Sequence, residues 1–363
     1  MAKLSLIVPC YNEAANIDTF YTHIMDIFAT IWRTYTGTQF ELIFVNDGSK
    51  DETLQALYRL KNSSLTPPPA VNKTDNTEKT QNQIPLNQSN LSFVIVNFSR
   101  NFGKEAAMYA GLKASSGDCI ALIDADLQDP PTMLLEMYKK WQDKEADIIY
   151  ARRISRAGES FIRAKLSEGF YILSNLISQV HLESGVRDFR LMDRQVVNAL
   201  LSMSEYHRFS KAMFEWVGFK KIGLEYEYIP RTQGNSGWSF WKLFKYAIEG
   251  FISFSTMPLR VAFVLGFVMS ALSLGYGCYA VISTLIFHNA VAGWTSLVAW
   301  IAFLGGVQLI ILGVIGEYIA RIYEQVKSRP HYIARDMSED TRNDELKDNL
   351  QDFHKGKECS KKF

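Results

Sequence analysis
The chain has 363 residues, 47% of them hydrophobic and 13% aromatic, with 39 Lys and Arg against 38 Asp and Glu. That length allows two structural units, the apolar share is high for a purely soluble domain, and the balanced charge speaks against nucleic acid as a partner. Cys10, Cys119, Cys278 and Cys359 form no Cys-x-x-Cys pair, which argues against a zinc site and a disulfide framework.

The N-terminal "MAKLSLIVPCYNE" turns polar too soon for a signal peptide, so the first domain is expected in the cytoplasm. The runs "LSLIVPC", "FELIFVND", "FVIVNF", "CIALIDAD" and "ADIIYA" are β-rich. They alternate with helical stretches at Asn16 to Ile31, "SKDETLQALYRL", "KEAAMYAGLKAS" and "PTMLLEMYKKWQD". This alternation predicts an α/β domain over residues 1–232, a mostly parallel sheet flanked by helices. Ligands of such sheets bind beyond the carboxyl ends of the strands. Polar clusters stand at those ends: Tyr11, Asn12 and Glu13; Asn46, Asp47 and Gly48; Arg100 and Asn101; Asp124 and Asp126. Residues 62–90, rich in Asn, Thr, Gln, Ser and Pro, are expected to form a disordered insertion, because they offer little apolar surface to offset ordering entropy.

Two segments, 160–180 and 233–258, carry aromatic and basic residues at helical spacing and are expected to lie at a membrane interface. Residues 259–287 and 294–320 then form apolar blocks longer than the ~20 residues a membrane-spanning helix needs, which predicts a two-helix transmembrane domain over 259–322. The connecting "HNAVAG" has no Lys or Arg, whereas Lys242, Lys245 and Arg260 precede the pair and Arg321, Lys327 and Arg329 follow it. The positive-inside rule therefore puts the N-terminal domain and both termini in the cytoplasm, on a two-span inner-membrane protein. The tail, 323–363, is dense in both charge signs, and beyond Arg335 it is expected to be solvated and poorly ordered.

Chemistry concentrates in "LIDADLQDPP". Two carboxylates one residue apart at a strand end can hold a hard divalent cation, and that cation can neutralise a diphosphate. "FGKEAA" lacks the first glycine and the Ser or Thr of a P-loop, and the six histidines lack metal-ligand spacing.

Seven stretches, "VPCYNEAANI", "FVNDGSKDET", "SRNFGKEAAMYAGL", "LIDADLQDPP", "GVRDFRLMDR", "YIPRTQGNSGW" and "GEYIARIYEQVKSRPHY", resemble glycosyltransferase family 2 with a GT-A fold. Within it they look closest to the bactoprenol (undecaprenyl) phosphate glucosyltransferases with two C-terminal membrane helices, and they are related to the dolichyl-phosphate mannose synthases. The resemblance implies an inverting hexosyltransferase whose donor is a nucleotide sugar, UDP-glucose before GDP-mannose or a modified UDP-pentose, and whose acceptor is undecaprenyl phosphate. It implies that Pro9, Tyr11, Glu13 and Asp47 line the nucleotide pocket, that Arg100 and Lys104 approach the donor, and that Gln128 sits beside the sugar. Asp124 and Asp126 would hold Mg²⁺ or Mn²⁺, Asp188 would stand at the reaction centre supported by Arg190, and Arg231 and Ser236 would meet the acceptor phosphate. Gly237 departs from the lysine often found there, which places more of the phosphate contact on Arg231. For Asp188 the competing reading is a structural salt bridge with Arg187, Arg190 or Arg194. A catalytically inactive membrane scaffold and a processive polysaccharide synthase are weaker alternatives, since Asp124, Asp126 and Asp188 are all present and no QxxRW signature is. A homo-oligomer is left open.

Overall fold
The computed structural model describes residues 2–65, 90–154, 183, 185–226, 257–287 and 293–338. The interfacial segment 160–180, nearly all of 233–258, Arg231, Ser236, Gly237 and residues 66–89 lie outside the described residues.

A mixed eight-stranded sheet organises the N-terminal part: β1 (Lys3–Cys10), β2 (Gln39–Asn46), β3 (Leu91–Phe98), β4 (Cys119–Leu122), β5 (Ile148–Arg153), β6 (Val186–Asp193), β7 (Lys221–Tyr226) and β8 (Ala334–Ser338). Their order is β7-β5-β6-β4-β1-β2-β3-β8. Strands β1 to β4 run parallel, as the alternating sequence predicts. Leu4, Leu6, Ile7, Val8, Leu42, Ile43, Phe44 and Val45 are almost fully buried, because helices cover both faces and leave no solvent side for polar alternation. One face packs on α1 (Ala14–Thr34), whose Ile17, Phe20, Ile24, Ile27, Phe28 and Ile31 recur at helical spacing and are buried. α2 (Thr53–Leu65) and α4 (Met133–Gln142) complete that side. The other face receives α3 (Lys104–Ala114), whose Ala106, Ala107 and Ala110 allow close approach to the sheet, together with α5 (Arg194–Ser202) and α6 (Ser210–Trp216).

At the amino end of the sheet, opposite the polar clusters, Glu41 is a buried carboxylate with its partners supplied. It accepts hydrogen bonds from Ser5 Oγ (2.5 Å), the Ser116 amide (2.8 Å) and Ser116 Oγ (2.6 Å), and pairs with Lys3 Nζ at 2.9 Å. Burial works against its charge, but these partners outweigh it and hold its pKa below the ordinary value.

Three features differ from the sequence reading. β6 enters antiparallel between β4 and β5, so the stretch carrying Asp188 is itself a strand and does not follow the last one. Helix α2 continues through Leu65, past the expected start of the insertion at 62, with Lys61 Nζ donating to the Ser338 carbonyl at 2.9 Å. The tail is also ordered further than expected, since residues 334–338 form β8 and close the exposed edge of β3.

The C-terminal part consists of α7 (Met257–Phe287) and α8 (Trp294–Val326). Among the described residues, Phe303–Val326 is long and apolar enough to cross a membrane and none of it is buried in the protein; Val261–Gly277 is a shorter apolar stretch.

Candidate active site
A cleft of about 400 Å³ opens at the carboxyl ends of β1, β2 and β4. The loops after β1 and β2 are laced together along its wall. Asn12 N donates to Ser49 Oγ at 3.0 Å, Lys50 N to Asn12 Oδ1 at 2.9 Å, and Glu13 N to Thr53 Oγ1 at 2.9 Å. Gly48 makes the tight passage possible, with φ of +63° and a position where a Cβ would lie 2.6 Å from the Asn101 amide nitrogen. Asp47, almost fully buried, accepts from the backbone N–H of Phe102 (2.6 Å) and of Gly103 (2.9 Å), which fixes the turn that opens α3. Burial pushes the Asp47 pKa up, against those two hydrogen bonds and the charge of Arg100.

That turn delivers Lys104 to the floor of the cleft. Its Nζ lies 2.7 Å from Asp124 Oδ1 and 2.6 Å from Asp188 Oδ2, so one ammonium joins the end of β4 to the beginning of β6. The register explains the meeting. Leu122 pairs with Arg190 in the antiparallel ladder, so two residues on from Leu122 and two back from Arg190, Asp124 comes opposite Asp188. Burial opposes the Lys104 charge, but Asp124 and Asp188 hold its pKa above the ordinary lysine value. The two carboxylates divide in the opposite sense. Asp124 is pushed up by burial, helped by the charges of Asp188 and Asp126, whereas for Asp188 the burial cost is outweighed by Lys104, Lys211 and Arg190, which hold it well below the usual carboxylate range.

The residues expected at the site fall into three groups. Pro9, Tyr11, Glu13, Asp47, Lys104, Asp124 and Asp126 line this one cleft. Asp188 is joined to it through Lys104, and Gln128 stands next to it, its amide N–H donating to Asp126 Oδ1 at 3.1 Å. Arg100 and Arg190 are held elsewhere. The Arg100 guanidinium lies 4.1 Å over the Phe102 ring at the rim. Arg190 is buried 3.5 Å over Phe214, and its guanidinium donates to the backbone carbonyls of Asp188 (3.2 Å) and Arg187 (2.8 Å). Burial pushes the Arg190 pKa down to about 10. It therefore braces the backbone under Asp188. The competing salt bridge of Asp188 with a neighbouring arginine does not form either, for Arg187 pairs with Asp129 and Arg194 donates to the Gly117 carbonyl.

Sequence reasoning missed Asp129, Tyr226 and Lys211. Asp129 is buried and accepts from Arg187 Nε (3.0 Å) and from the Tyr226 hydroxyl, tying the loop after β4 to β6 and β7. Its place in the Asp-rich "DADLQD" was a visible signal. Lys211 approaches Asp188 because Ser210 bonds through Oγ to Glu105 (2.5 Å), setting the lysine that follows Ser210 near the one that precedes Glu105. Nothing local in the sequence announces that approach.

For a metal, the donor set at this floor is all oxygen, which suits a hard divalent cation. Among the described residues no group of three or more His, Cys, Asp or Glu is arranged to hold a metal unaided. Asp124 and Asp126 offer two carboxylates of the kind such a cation takes, and Lys104 engages the first of them at 2.7 Å.

A cleft at the carboxyl ends of parallel strands, floored by aspartates around one lysine, lies where α/β sheets of this kind take their ligands. The family model for glycosyl transferase family 2 matches residues 5–70 and 72–201, and that for the GtrB C-terminal hairpin matches residues 257–322. A glycosyltransferase of Synechocystis sp. is 40% identical over 92% of this chain and 95% of its own length. The SfII prophage-derived bactoprenol glucosyl transferase of Shigella flexneri is 40% identical over 92% of this chain and 97% of its own. Among solved structures, the mannosyltransferase PcManGT from Pyrobaculum calidifontis shares 14% identity at a TM-score of 0.43, over 89% of this chain and 88% of that one. The chain belongs to glycosyl transferase family 2, is a transferase of GT-A-type fold, and with its apolar C-terminal hairpin is membrane-associated.

Proposed function
We propose that this chain transfers glucose from UDP-glucose to undecaprenyl phosphate, giving a β-linked polyprenyl-phosphate sugar on the cytoplasmic face of the inner membrane. The observation that carries the reading is the Asp124–Lys104–Asp188 arrangement on the floor of the cleft. The bactoprenol glucosyl transferases similar to it along nearly their whole length supply the substrate class.

A lipid phosphate is already anionic at neutral pH, so the reaction needs orientation and charge management more than proton abstraction. The wall formed by Pro9, Tyr11, Glu13 and Asp47 receives the nucleoside. Mg²⁺ or Mn²⁺ held by Asp124 and Asp126 would neutralise the diphosphate. Lys104, already between two carboxylates, turns its ammonium toward the leaving group. Asp188 stays ionised and faces the positive charge that develops on the sugar ring, with Arg190 fixing its backbone. Attack from the side opposite the diphosphate inverts the anomeric carbon. Arg231 and Ser236, outside the described residues, would receive the acceptor phosphate. The apolar blocks 259–287 and 294–320 serve as two spans, with both termini on the cytoplasmic side.

The test is a panel of UDP-glucose, GDP-mannose and a UDP-pentose offered with undecaprenyl phosphate to the membrane-embedded protein, with lipid products resolved by mass. A hexosyl phospholipid from UDP-glucose is expected. Donor hydrolysis without a lipid product would overturn the acceptor, and a product from another sugar alone would overturn the donor.

A further inference from the structure
The last turn of α8, beyond the proposed span 294–320, contacts the catalytic domain. Glu324 pairs with His207, and the Gln325 side chain accepts from the Tyr206 amide (2.7 Å) while donating to the Ser204 carbonyl (2.8 Å). The chain then returns to the sheet. His331 stacks on Tyr206 with ring centres 5.8 Å apart and meets Tyr109 edge-on at 4.8 Å. Tyr332 stacks on Phe98 at 4.8 Å, Ser99 N donates to the Ile333 carbonyl at 2.9 Å, and β8 pairs with β3. Tyr58 Oη donating to Asp336 at 2.8 Å fastens the far end of this strap.

What lies on the other side of Phe98 gives the strap its consequence. Phe98 meets Phe102 edge-to-face at 5.7 Å, and the amides of Phe102 and Gly103 are the donors that hold Asp47 at 2.6 and 2.9 Å. Lys104 follows directly. Between the end of β3 and the start of α3 the backbone has no regular structure, so its position depends on side-chain packing and on the hydrogen bonds to Asp47. We propose that Tyr332 is a positioning residue for donor binding: the strap returning from the membrane helix sets the Phe102–Gly103 turn through the Phe98–Phe102 pair, and thereby holds Asp47 and Lys104 in donor-binding register. The inference rests on the reading of this cleft as a nucleotide-sugar site.

The experiment compares Tyr332→Ala, Tyr332→Leu, Tyr332→Phe and Met337→Ala in the full-length, membrane-embedded protein. UDP-glucose is the probe, or GDP-mannose if the wild type transfers that instead, so a wrong sugar shows in the wild type and not in the variants. An aromatic pair lost behind the turn should raise the donor KM about three- to tenfold in Tyr332→Ala and Tyr332→Leu, with kcat within about twofold. Tyr332→Phe keeps the ring and should restore the wild-type KM. Met337→Ala removes an apolar side chain of the same strap, at a position paired with Val96 and not with Phe98, and should lower Tm while leaving KM alone. If the alanine variant does not fold, the leucine variant carries the comparison. An unchanged donor KM in Tyr332→Leu, or an equal rise in Met337→Ala, would overturn the proposal.

Discussion

Replacing Asp188 with Asn removes a charge and almost no volume, which makes it the most discriminating change at the site. In the ground state Lys104 keeps its contact with Asp124 at 2.7 Å, and Asp188 is not part of the cleft wall, so donor affinity should stay within a few-fold. In the transition state the loss is larger. A carboxylate about 5 Å from a developing positive charge, at an effective dielectric near 20, contributes about 3 kcal/mol, or about 10²-fold in turnover. Single-turnover transfer, calorimetric donor binding and thermal melting of Asp188→Asn would separate the effects. Near-normal turnover would remove Asp188 from the reaction centre, and a joint fall of Tm and donor affinity would make it structural. The pH profile adds a second check. The folded pKa of Asp188 lies well below the usual range, so its charge is lost only as pH falls through that low value, and it contributes no acid limb between about pH 5 and 8. An acid limb near neutrality that disappears in Asp188→Asn would refute charge stabilisation in favour of a general base.

Three further outcomes follow from other parts of the molecule. Asp126→Ala should slow transfer by about 10²-fold, and excess chelator should abolish it in the wild type; full transfer in chelator would exclude a divalent cation at the diphosphate. Glu41→Gln should lower stability by about 2 kcal/mol at pH 7, because the Ser5, Ser116 and Lys3 groups that meet the carboxylate lose an ionised partner. The folded pKa of Glu41 is depressed, so this difference should be full above about pH 4.5 and shrink as pH falls through the folded value; a gap in urea midpoint that widens in acid would contradict it. A reporter inserted at residues 288–293 should lie outside the cytoplasm while reporters at Met1 and Phe363 lie inside, and labelling of all three from one side would refute two spans.

The parallel half of the sheet was legible because its strands are buried on both faces and therefore read as apolar runs, as in Leu6 to Val8 and Leu42 to Val45. β6 was not, since Arg187, Asp188 and Arg190 break its apolar pattern; Arg190 is accommodated only because Phe214, distant in sequence, offers a ring face and two carbonyls accept its N–H groups. β8 was hidden for a different reason. "ARDMS" has no strand signature of its own and is ordered by the open edge of β3 and the stacking of Tyr332 just before it. The Asp-x-Asp motif and the polar strand ends were visible in the sequence. The bond that joins Glu105 to Ser210, and with it the approach of Lys211 to Asp188, is a tertiary fact that no local pattern encodes.

The same reversal at β6 bears on how the site manages charge. Had this strand run parallel to β4, its carboxyl end would carry Asp193 to the cleft, and Asp188 would lie partway back along the sheet. Running antiparallel, it brings Asp188 opposite Asp124 and draws Arg187 and Arg190 to the same edge. Those arginines are already committed: Arg187 neutralises the buried Asp129, and Arg190 serves backbone carbonyls beneath Phe214. The cations left near Asp188 are Lys104, shared between two aspartates, and Lys211, which makes no ion pair among the described residues and whose pKa burial pushes down. A nucleoside diphosphate and a lipid phosphate together bring more negative charge than two lysines can balance, particularly with Asp124, Asp126 and Asp188 on the same floor. With Arg100 at the rim, the proposed substrates would still bring more negative charge than these side chains balance, and this is the physical argument for the proposed divalent cation at Asp124 and Asp126 and for the proposed role of Arg231 at the acceptor phosphate.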